Sequence, residues 1–357
     1  MSEQLPTLIG KGLPELEAAV IALGEPNFRA KQLKQWLYEK RVADPNAMTN
    51  LSKALRDRLN ESYSFITAAI ARQEHDGENT TKFALRYPDG SVVETVLMFE
   101  IQADGSERRT LCVSTQAGCA MGCRFCASGQ LGLKRNLSAS EILEQVYIAA
   151  AHLGQERWLT NIVFMGMGEP LHNWEAFAQT LQVLTDPEFI NMSPRRITVS
   201  TVGLANRIRD LAAMGTPVNL AVSLHAPNDK IRSVLIPTNQ AYGGIQGIVD
   251  ACADYFEITR RQVTFEYTVV GGVNDRPEHA EELCRLIGER LPGSNVNLIP
   301  MNPVAGSGLH TPEERAVEAM SRILESKGHS VHTRKKKGRS ISAACGQLRL
   351  QVEAASE

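Results

Sequence analysis

The sequence has no uninterrupted apolar run approaching the ~18 residues that a membrane-spanning helix needs, so no span is expected. Its start, MSEQLPTLIG, lacks the basic stretch followed by an apolar one that marks a secretory signal. It has little net charge, −2 over 357 residues, so any evidence for a nucleic-acid partner must be local. No internal repeat occurs, and no low-complexity segment apart from a basic run near the C-terminus. The seven cysteines are an odd number, and most stand outside any pairing pattern. A reducing compartment fits, and a cytoplasmic protein is expected. No second C-x2-C or H-x3-H lies near the cysteines, which removes the paired ligands typical of structural zinc sites.

What the chain does have is 43% hydrophobic residues, enough for a sizeable core in one large domain and a smaller one. In TLCVSTQAGCAMGCRFCASGQLGL, between Thr110 and Leu133, Cys119, Cys123 and Cys126 stand as C-x3-C-x2-C, with Cys112 before them. A tight loop at this spacing turns three thiolates toward one point. On a cubic [4Fe-4S] cluster, three thiolates leave one iron without a protein ligand, in contrast to four-cysteine sites. The spacing resembles the radical-SAM motif, which implies S-adenosylmethionine chelated to the open iron through its amino and carboxylate groups. A structural zinc site is the competing reading, and a disulfide the third.

Up to about Glu74 the sequence reads as helical. Leu16, Val20 and Leu23 recur at helical spacing, as do Leu33, Trp36 and Leu37 in FRAKQLKQWLYEKR, and SKALRDRLNESY is similar. Arg29, Lys31, Lys34, Lys40 and Arg41 surround the second helix, either as a solvated face or as phosphate contacts to a structured RNA. From Thr81 the period becomes two, and KFALRYPDGSVVETVLMFE reads as strand, Asp89-Gly90 turn and strand. A second turn follows at Asp104-Gly105. Glu94 shares its face with Val92, Val96 and Met98. It is either on an edge strand facing solvent or a partly desolvated general base.

Strands and helices then alternate. Strands are expected near 110–115, 160–166, 196–201, 217–223, 262–270, 295–300 and 329–334. Helices are expected near 138–153, 173–185, 204–214, 244–257, 277–292 and 312–327. Capping boxes are read at Ser138 with Glu141, and at Thr311 with Glu314 after Pro312. Near-continuous apolar strands such as NIVFMG and VNLAVSL predict burial on both faces. The expected fold class is α/β: a partial (β/α)6 radical-SAM barrel with an N-terminal helical accessory domain and a short β-hairpin extension. The boundaries are 1–78 for the helical RNA-binding module, 79–109 for the hairpin, 110–334 for the barrel and 335–357 for a C-terminal segment.

Ligands in such sheets collect at the C-terminal strand ends. There the sequence places the cysteine loop, Gly166-Met167-Gly168-Glu169-Pro170, Ser200-Thr201, Ser223-Leu224-His225 and Met301-Asn302-Pro303. Gly166-x-Gly168 does not complete a dinucleotide fingerprint. A lone histidine such as His225 is usually a satisfied structural residue; together these residues suggest a pocket for a polar cofactor beside the cluster. In the tail, five of the six residues from Arg334 to Arg339 are basic, a solvated run or a phosphate clamp. Cys345 follows with no metal-spaced partner, a small buried residue or an isolated nucleophile. Cys252 and Cys284 lie on apolar helix faces and are read as core.

With these residues assembled, the chain resembles the radical-SAM RNA adenine methyltransferases, most closely the dual-specificity branch that methylates C2 of an adenosine in 23S rRNA and tRNA. The resemblance is carried by VET at 93–95, the cysteine loop, LKRNL at 133–137, GMGEP, SPRR, SLHAPND, VND and AACGQL, and covers nearly the whole chain. It implies that Cys119, Cys123 and Cys126 hold the cluster. Gly168, Glu169, Ser200, Ser223, Leu224, His225 and Asn302 would line the S-adenosylmethionine site. Cys345 would carry the methyl group, Cys112 would resolve it and Glu94 would be the base. It further implies two S-adenosylmethionine molecules per turnover, an electron donor such as a flavodoxin system, and a monomer. The target adenine must leave its stack, with Arg334–Arg339, Arg195-Arg196 and the N-terminal helices on the phosphates. The loop from about Gln102 to Arg109 looks longer than the family norm. A sister branch that methylates C8 shares these motifs, including the cysteine pair; Pro170 favours the C2 branch.

Overall fold

A ten-stranded sheet, antiparallel at one end and parallel over the rest, carries the molecule. The computed structural model describes residues 5–154, 157–334, 341 and 346–348. Helices α1 (Leu13–Ala22), α2 (Phe28–Lys34) and α3 (Lys53–Ser62) come first, α2 running on into a π-helical turn over Gln35–Glu39. Leu16, Val20, Leu33, Leu37, Leu55 and Leu59 form their buried faces. The strands β1 (Ala69–His75), β2 (Thr80–Arg86), β3 (Val92–Ile101) and β4 (Glu107–Cys112) then make an antiparallel meander.

From β4 onward the neighbours are parallel: β7 (Asn161–Phe164), β8 (Ile197–Thr201), β9 (Asn219–Ser223), β10 (Val263–Val269), β11 (Asn295–Pro300) and β12 (Ser330–Thr333). Between β4 and β7 come a small antiparallel pair, β5 (Gln116–Gly118) and β6 (Leu133–Asn136), and the short helix α4 (Ala127–Gln130). Helices α5 (Ala139–Leu153), α6 (Trp174–Thr185), α7 (Ala205–Ala213), α8 (Asp229–Leu235), α9 (Gly244–Thr259), α10 (Pro277–Gly288) and α11 (Glu314–Ser326) complete the order. The parallel strands and their helices agree with the sequence reading, except that α8 was not foreseen. Cys252 is fully buried and Cys284 nearly so, as expected of core residues.

Three expectations are corrected. The helical reading up to Glu74 fails after Ser62, because Ala69–His75 is strand β1. Its alanines, Arg72, Gln73 and Glu74 favour helix locally, but antiparallel pairing with β2 overrides that preference. Glu94 does not lie on a solvent-facing edge; β3 sits between β2 and β4, and Glu94 is only 2% exposed. The capping box read at Thr311 is absent, because α11 begins at Glu314 behind Glu313 and the Thr311 hydroxyl donates to the Met301 carbonyl at 3.2 Å. The box at Ser138 and Glu141 is present with both of its bonds. The N-terminal helices are pinned to α5: Tyr147 Oη donates to the Leu37 carbonyl, and Glu144 accepts from the amides of Thr67 and Ala68.

Candidate active site at the C-terminal rim of the sheet

Because β4 and β7–β12 run parallel, their C-terminal ends share one rim, and nearly every one supplies residues to the same cavity. The loop beyond β4 gives Cys119, Cys123 and Cys126; β7 is followed by Gly166, Gly168 and Glu169. Ser200 comes from β8, Ser223 and His225 from β9, Glu266 and Thr268 from β10, and Asn302 and Arg334 from behind β11 and β12. Leu224 is the exception: its side chain is fully buried and does not line the cavity. Its carbonyl is taken by Arg232 Nε at 3.0 Å.

Backbone contacts hold the cysteine loop. The Cys119 amide donates to the Gly132 carbonyl at 3.0 Å, the Cys126 amide to the Cys123 carbonyl at 3.1 Å, and Arg124 N to the Leu235 carbonyl at 3.0 Å. Burial pushes the Cys119 thiol up to about 12, and burial with neighbouring thiols pushes Cys123 well above the usual range. Thiols such as Cys119 and Cys123, side by side on one cavity wall, ionise together only if positive charge joins them, as a metal cluster supplies. Among the described residues, no three His, Cys, Asp or Glu side chains converge as a single ion would require. Cys119, Cys123 and Cys126 do line one cavity, and three thiols are the donor set that a cluster with one open iron would take.

The opposite wall is zipped onto the segment that leads into the cysteine loop. Gly166 N donates to Val113 O, Met167 N to Ser114 Oγ and Glu169 N to Gln116 Oε1, at 3.0, 2.8 and 2.9 Å. Gly168 has φ +101°, and a Cβ there would lie 2.6 Å from Gln116, so only glycine closes this contact. Burial pushes the Glu169 carboxyl up to about 7, against the amides of Leu171 at 3.0 Å and Val202 at 2.7 Å. Glu169 thus ties the end of β7 to the end of β8 while one side of it faces the cavity. His225 stands at φ +58° with Nδ1 accepting from Thr268 N at 2.8 Å. Burial, aided by the Arg232 charge, pushes it down to about 3, so the ring is neutral with its proton on Nε2. It packs edge-on against Phe125 of the cysteine loop, with ring centres 4.6 Å apart.

Two residues of this rim escaped the sequence reading. Arg232, on α8, is 1% exposed and donates to the carbonyls of Leu224, Ser223 and Val202, joining β8 to β9. Nothing in KIRSV distinguishes it from a solvated helix arginine. Glu266 is buried in the cavity wall, with Oε1 accepting from Asn297 at 2.9 Å and Oε2 without a hydrogen bond among the described residues. The signal available was a lone carboxylate in the apolar strand VTFEYTV.

Glu94 and Cys112 sit at the other end of the parallel run. Cys112 pairs with Val96 and with Val163, is nearly buried, and its carbonyl accepts from Thr95 Oγ1 at 2.6 Å. Glu94 lies two residues from Val96 on that same face, and its amide contacts Met167 Sδ at 3.4 Å. Its carboxylate pairs with buried Lys82, whose Nζ is 3.1 Å from Glu94 Oε1 and 3.0 Å from Glu74 Oε2. The long loop at Gln102–Arg109 is absorbed by the β3–β4 hairpin, which stays in register from Val96–Cys112 to Ile101–Glu107.

Cys345 and Lys335–Arg339 lie outside the described residues. The residues just after Cys345 are described, and they rest on the cysteine loop. The Gly346 carbonyl accepts from Ala127 N at 2.8 Å, the Leu348 carbonyl accepts from Ser128 Oγ at 2.8 Å, and Gly346 lines the cavity. Arg195 and Arg196 are exposed but precede β8, at the rim opposite the cavity. Of the N-terminal basic residues, Lys34 pairs with Glu188, Lys40 stacks on Trp36 at 3.6 Å and Arg41 on Trp158 at 4.3 Å.

Comparison with known proteins agrees with this architecture. The family model of the radical SAM superfamily matches residues 113–287, and that of the ribosomal RNA large subunit methyltransferase N-terminal domain matches residues 7–64. A probable dual-specificity RNA methyltransferase RlmN of Rhodopirellula baltica is 44% identical over 342 residues, 96% of this chain and 90% of its own. The dual-specificity RNA methyltransferase RlmN of Nitratidesulfovibrio vulgaris is 46% identical over 340 residues, 94% of this chain and 92% of its own. The crystal structure of a radical SAM methyltransferase from Sphaerobacter thermophilus matches with a TM-score of 0.90 at 44% identity, covering 96% of this chain and 99% of that one.

Proposed function

Because the chain belongs to the RlmN family of dual-specificity radical SAM RNA methyltransferases, we propose that it methylates C2 of an adenosine in 23S rRNA and in tRNA. The observation that supports this reading is the docking of Gly346 and Leu348, one and three residues beyond Cys345, on the cysteine loop. C2 of adenine is electron-poor and is no nucleophile, so a direct displacement on a sulfonium cannot methylate it. When bound, a [4Fe-4S] cluster on Cys119, Cys123 and Cys126 and two S-adenosylmethionine molecules per turnover supply the methyl group and the radical chemistry that this carbon needs.

The chain's own residues do the rest. Gly168, Glu169, Ser200, Ser223, His225 and Asn302 hold the cofactor, and Leu224, expected among them, serves by fixing its neighbours Ser223 and His225. The Cys345 thiolate accepts a methyl group and presents it to C2. Once the carbon is joined to C2 and the adduct radical has given up one electron, which a bound cluster would accept, Glu94 takes the C2 proton. Cys112 then attacks the sulfur of Cys345: an S–S bond forms, the S–C bond breaks, and the carbon picks up a proton to become the methyl group. A reductant reopens the disulfide, and an external donor such as a flavodoxin system supplies electrons. The N-terminal helices and the basic run from Arg334 hold RNA phosphates around an unstacked adenine, in a monomer acting in the cytoplasm.

The test is mass spectrometry of rRNA and tRNA after anaerobic incubation with reconstituted protein, reductant and S-adenosylmethionine. The expected product is 2-methyladenosine; 8-methyladenosine alone would move the chain to the C8 branch. Reconstitution is expected to give a brown, four-iron protein, and one colourless zinc ion would overturn the reading.

A further inference from the structure

Lys82 belongs to no motif, yet it is among the largest fully buried side chains, at 2% exposed. A lysine is rarely buried without partners, and this one has two carboxylates. Its Nζ lies 3.0 Å from Glu74 and 3.1 Å from Glu94. The strand register explains the meeting. Glu74 pairs with Lys82 across β1 and β2, Lys82 with Val96 across β2 and β3, and Val96 with Cys112 across β3 and β4. All four side chains therefore share one sheet face with Glu94. Glu74 is half-buried and bonded on its outer side to Arg72 at 2.7 Å, so alternating charges run from the surface to Glu94.

We propose that Lys82 is a positioning residue for Glu94, holding its carboxylate ionised and aimed, with Glu74 sharing the ammonium. The inference rests on the reading of Glu94 as the base. In that step, after the adduct has lost its unpaired electron to an oxidant that a bound cluster would supply, the C2–H bond breaks, an O–H bond forms on Glu94, and the electron pair of the C–H bond stays with the ring and restores its aromaticity. Two effects must balance. Taking the ammonium away from a carboxylate buried beside Val92 and Val96 favours its protonated form. A carboxylate that monopolised one ammonium would be a poor base, because that charge opposes proton uptake. Dividing the ammonium between Glu74 and Glu94 keeps Glu94 charged yet able to accept a proton.

The experiment is an anaerobic single turnover of the reconstituted full chain with methyl-labelled S-adenosylmethionine and RNA. Wild type, Glu94→Gln, Lys82→Met, Lys82→Arg and Glu74→Gln are compared. Label on the protein without RNA reports folding and the first transfer. With RNA, the partition between covalent adduct on a denaturing gel and released methylated RNA reports the proton-removal stage. Lys82→Met is expected to shift the partition toward adduct and slow release at least about tenfold, and Lys82→Arg to recover most of it. Glu74→Gln is expected to slow release as well, and it decides the matter if Lys82→Met fails to fold. Normal release in Lys82→Met or Glu74→Gln, alongside a stalled Glu94→Gln, overturns the inference and leaves the base in place. An arginine variant as slow as the methionine variant assigns the effect to packing and overturns it too. Normal release in Glu94→Gln overturns the reading of the base itself.

Discussion

The amide of Ala127, the residue after Cys126, donates a 2.8 Å hydrogen bond to the carbonyl of Gly346, the residue after Cys345. A C-terminal segment more than two hundred residues away is thereby laid against the cysteine loop. Gly346 has φ +77°, and a Cβ there would stand 3.1 Å from the Phe125 carbonyl. Gly346→Ala adds strain of about 1 kcal/mol or more at this contact. Labelled methyl incorporation into the protein is expected to fall about fivefold, with the iron content unchanged. Wild-type incorporation would show that this docking is unimportant to the transfer.

Cys112 ends β4 as a small, nearly buried side chain, so Cys112→Ala should barely change stability. Its chemistry is another matter. In the proposed reaction, without a second thiolate nothing displaces the RNA-bound carbon from Cys345. A covalent protein–RNA species is expected to accumulate and survive a denaturing gel, while free methylated RNA disappears. Multiple turnovers by this variant would assign the resolving step elsewhere.

How much of this was legible in the sequence depended on whether neighbours along the chain carried the signal. The cysteine spacing, the apolar parallel strands and the Ser138 box are local patterns, and the structure has them where they were read. Strand β1 was missed because Ala69–His75 has the composition of a helix, and only its pairing with β2 makes it extended. Arg232 and Lys82 were missed for a related reason. Each is an ordinary basic residue in sequence and becomes exceptional only when separate strands bring carbonyls or carboxylates around it. The Arg195-Arg196 pair illustrates the converse. It was grouped with the site by charge, and the direction of β8 puts it at the far rim.

His225 gives a pH signature. Its folded pKa is pushed down to about 3 from an ordinary 6.5, chiefly by burial. The unfolded imidazole therefore takes up a proton as pH falls through about 6.5, and the folded one does not until far lower. Its stabilising contribution is complete above about 6.5 and is lost progressively as pH falls toward 3. His225→Gln keeps an acceptor for the Thr268 amide but cannot titrate. Between about pH 7.5 and 5.5, Tm should fall less steeply in the variant than in wild type. Parallel slopes would mean that His225 is not kept neutral.

Arg232 offers the sharpest separation of stability from cluster binding. Its guanidinium bonds the carbonyls of Val202, Ser223 and Leu224, and its charge also favours the thiolate of nearby Cys123. Arg232→Met leaves three buried carbonyls without that donor, at about 1 kcal/mol each and roughly 3 kcal/mol in all. It also removes the cation beside a thiol that burial already holds protonated. Thermal unfolding should come several degrees earlier, and iron retained after reconstitution should fall. Arg232→Lys restores the charge as a point contact without the planar fork. Iron retention should then recover while Tm stays low, because the charge serves Cys123 and the fork serves the carbonyls. Recovery of both together, or of neither, would mean that these two contributions are not separable at this position.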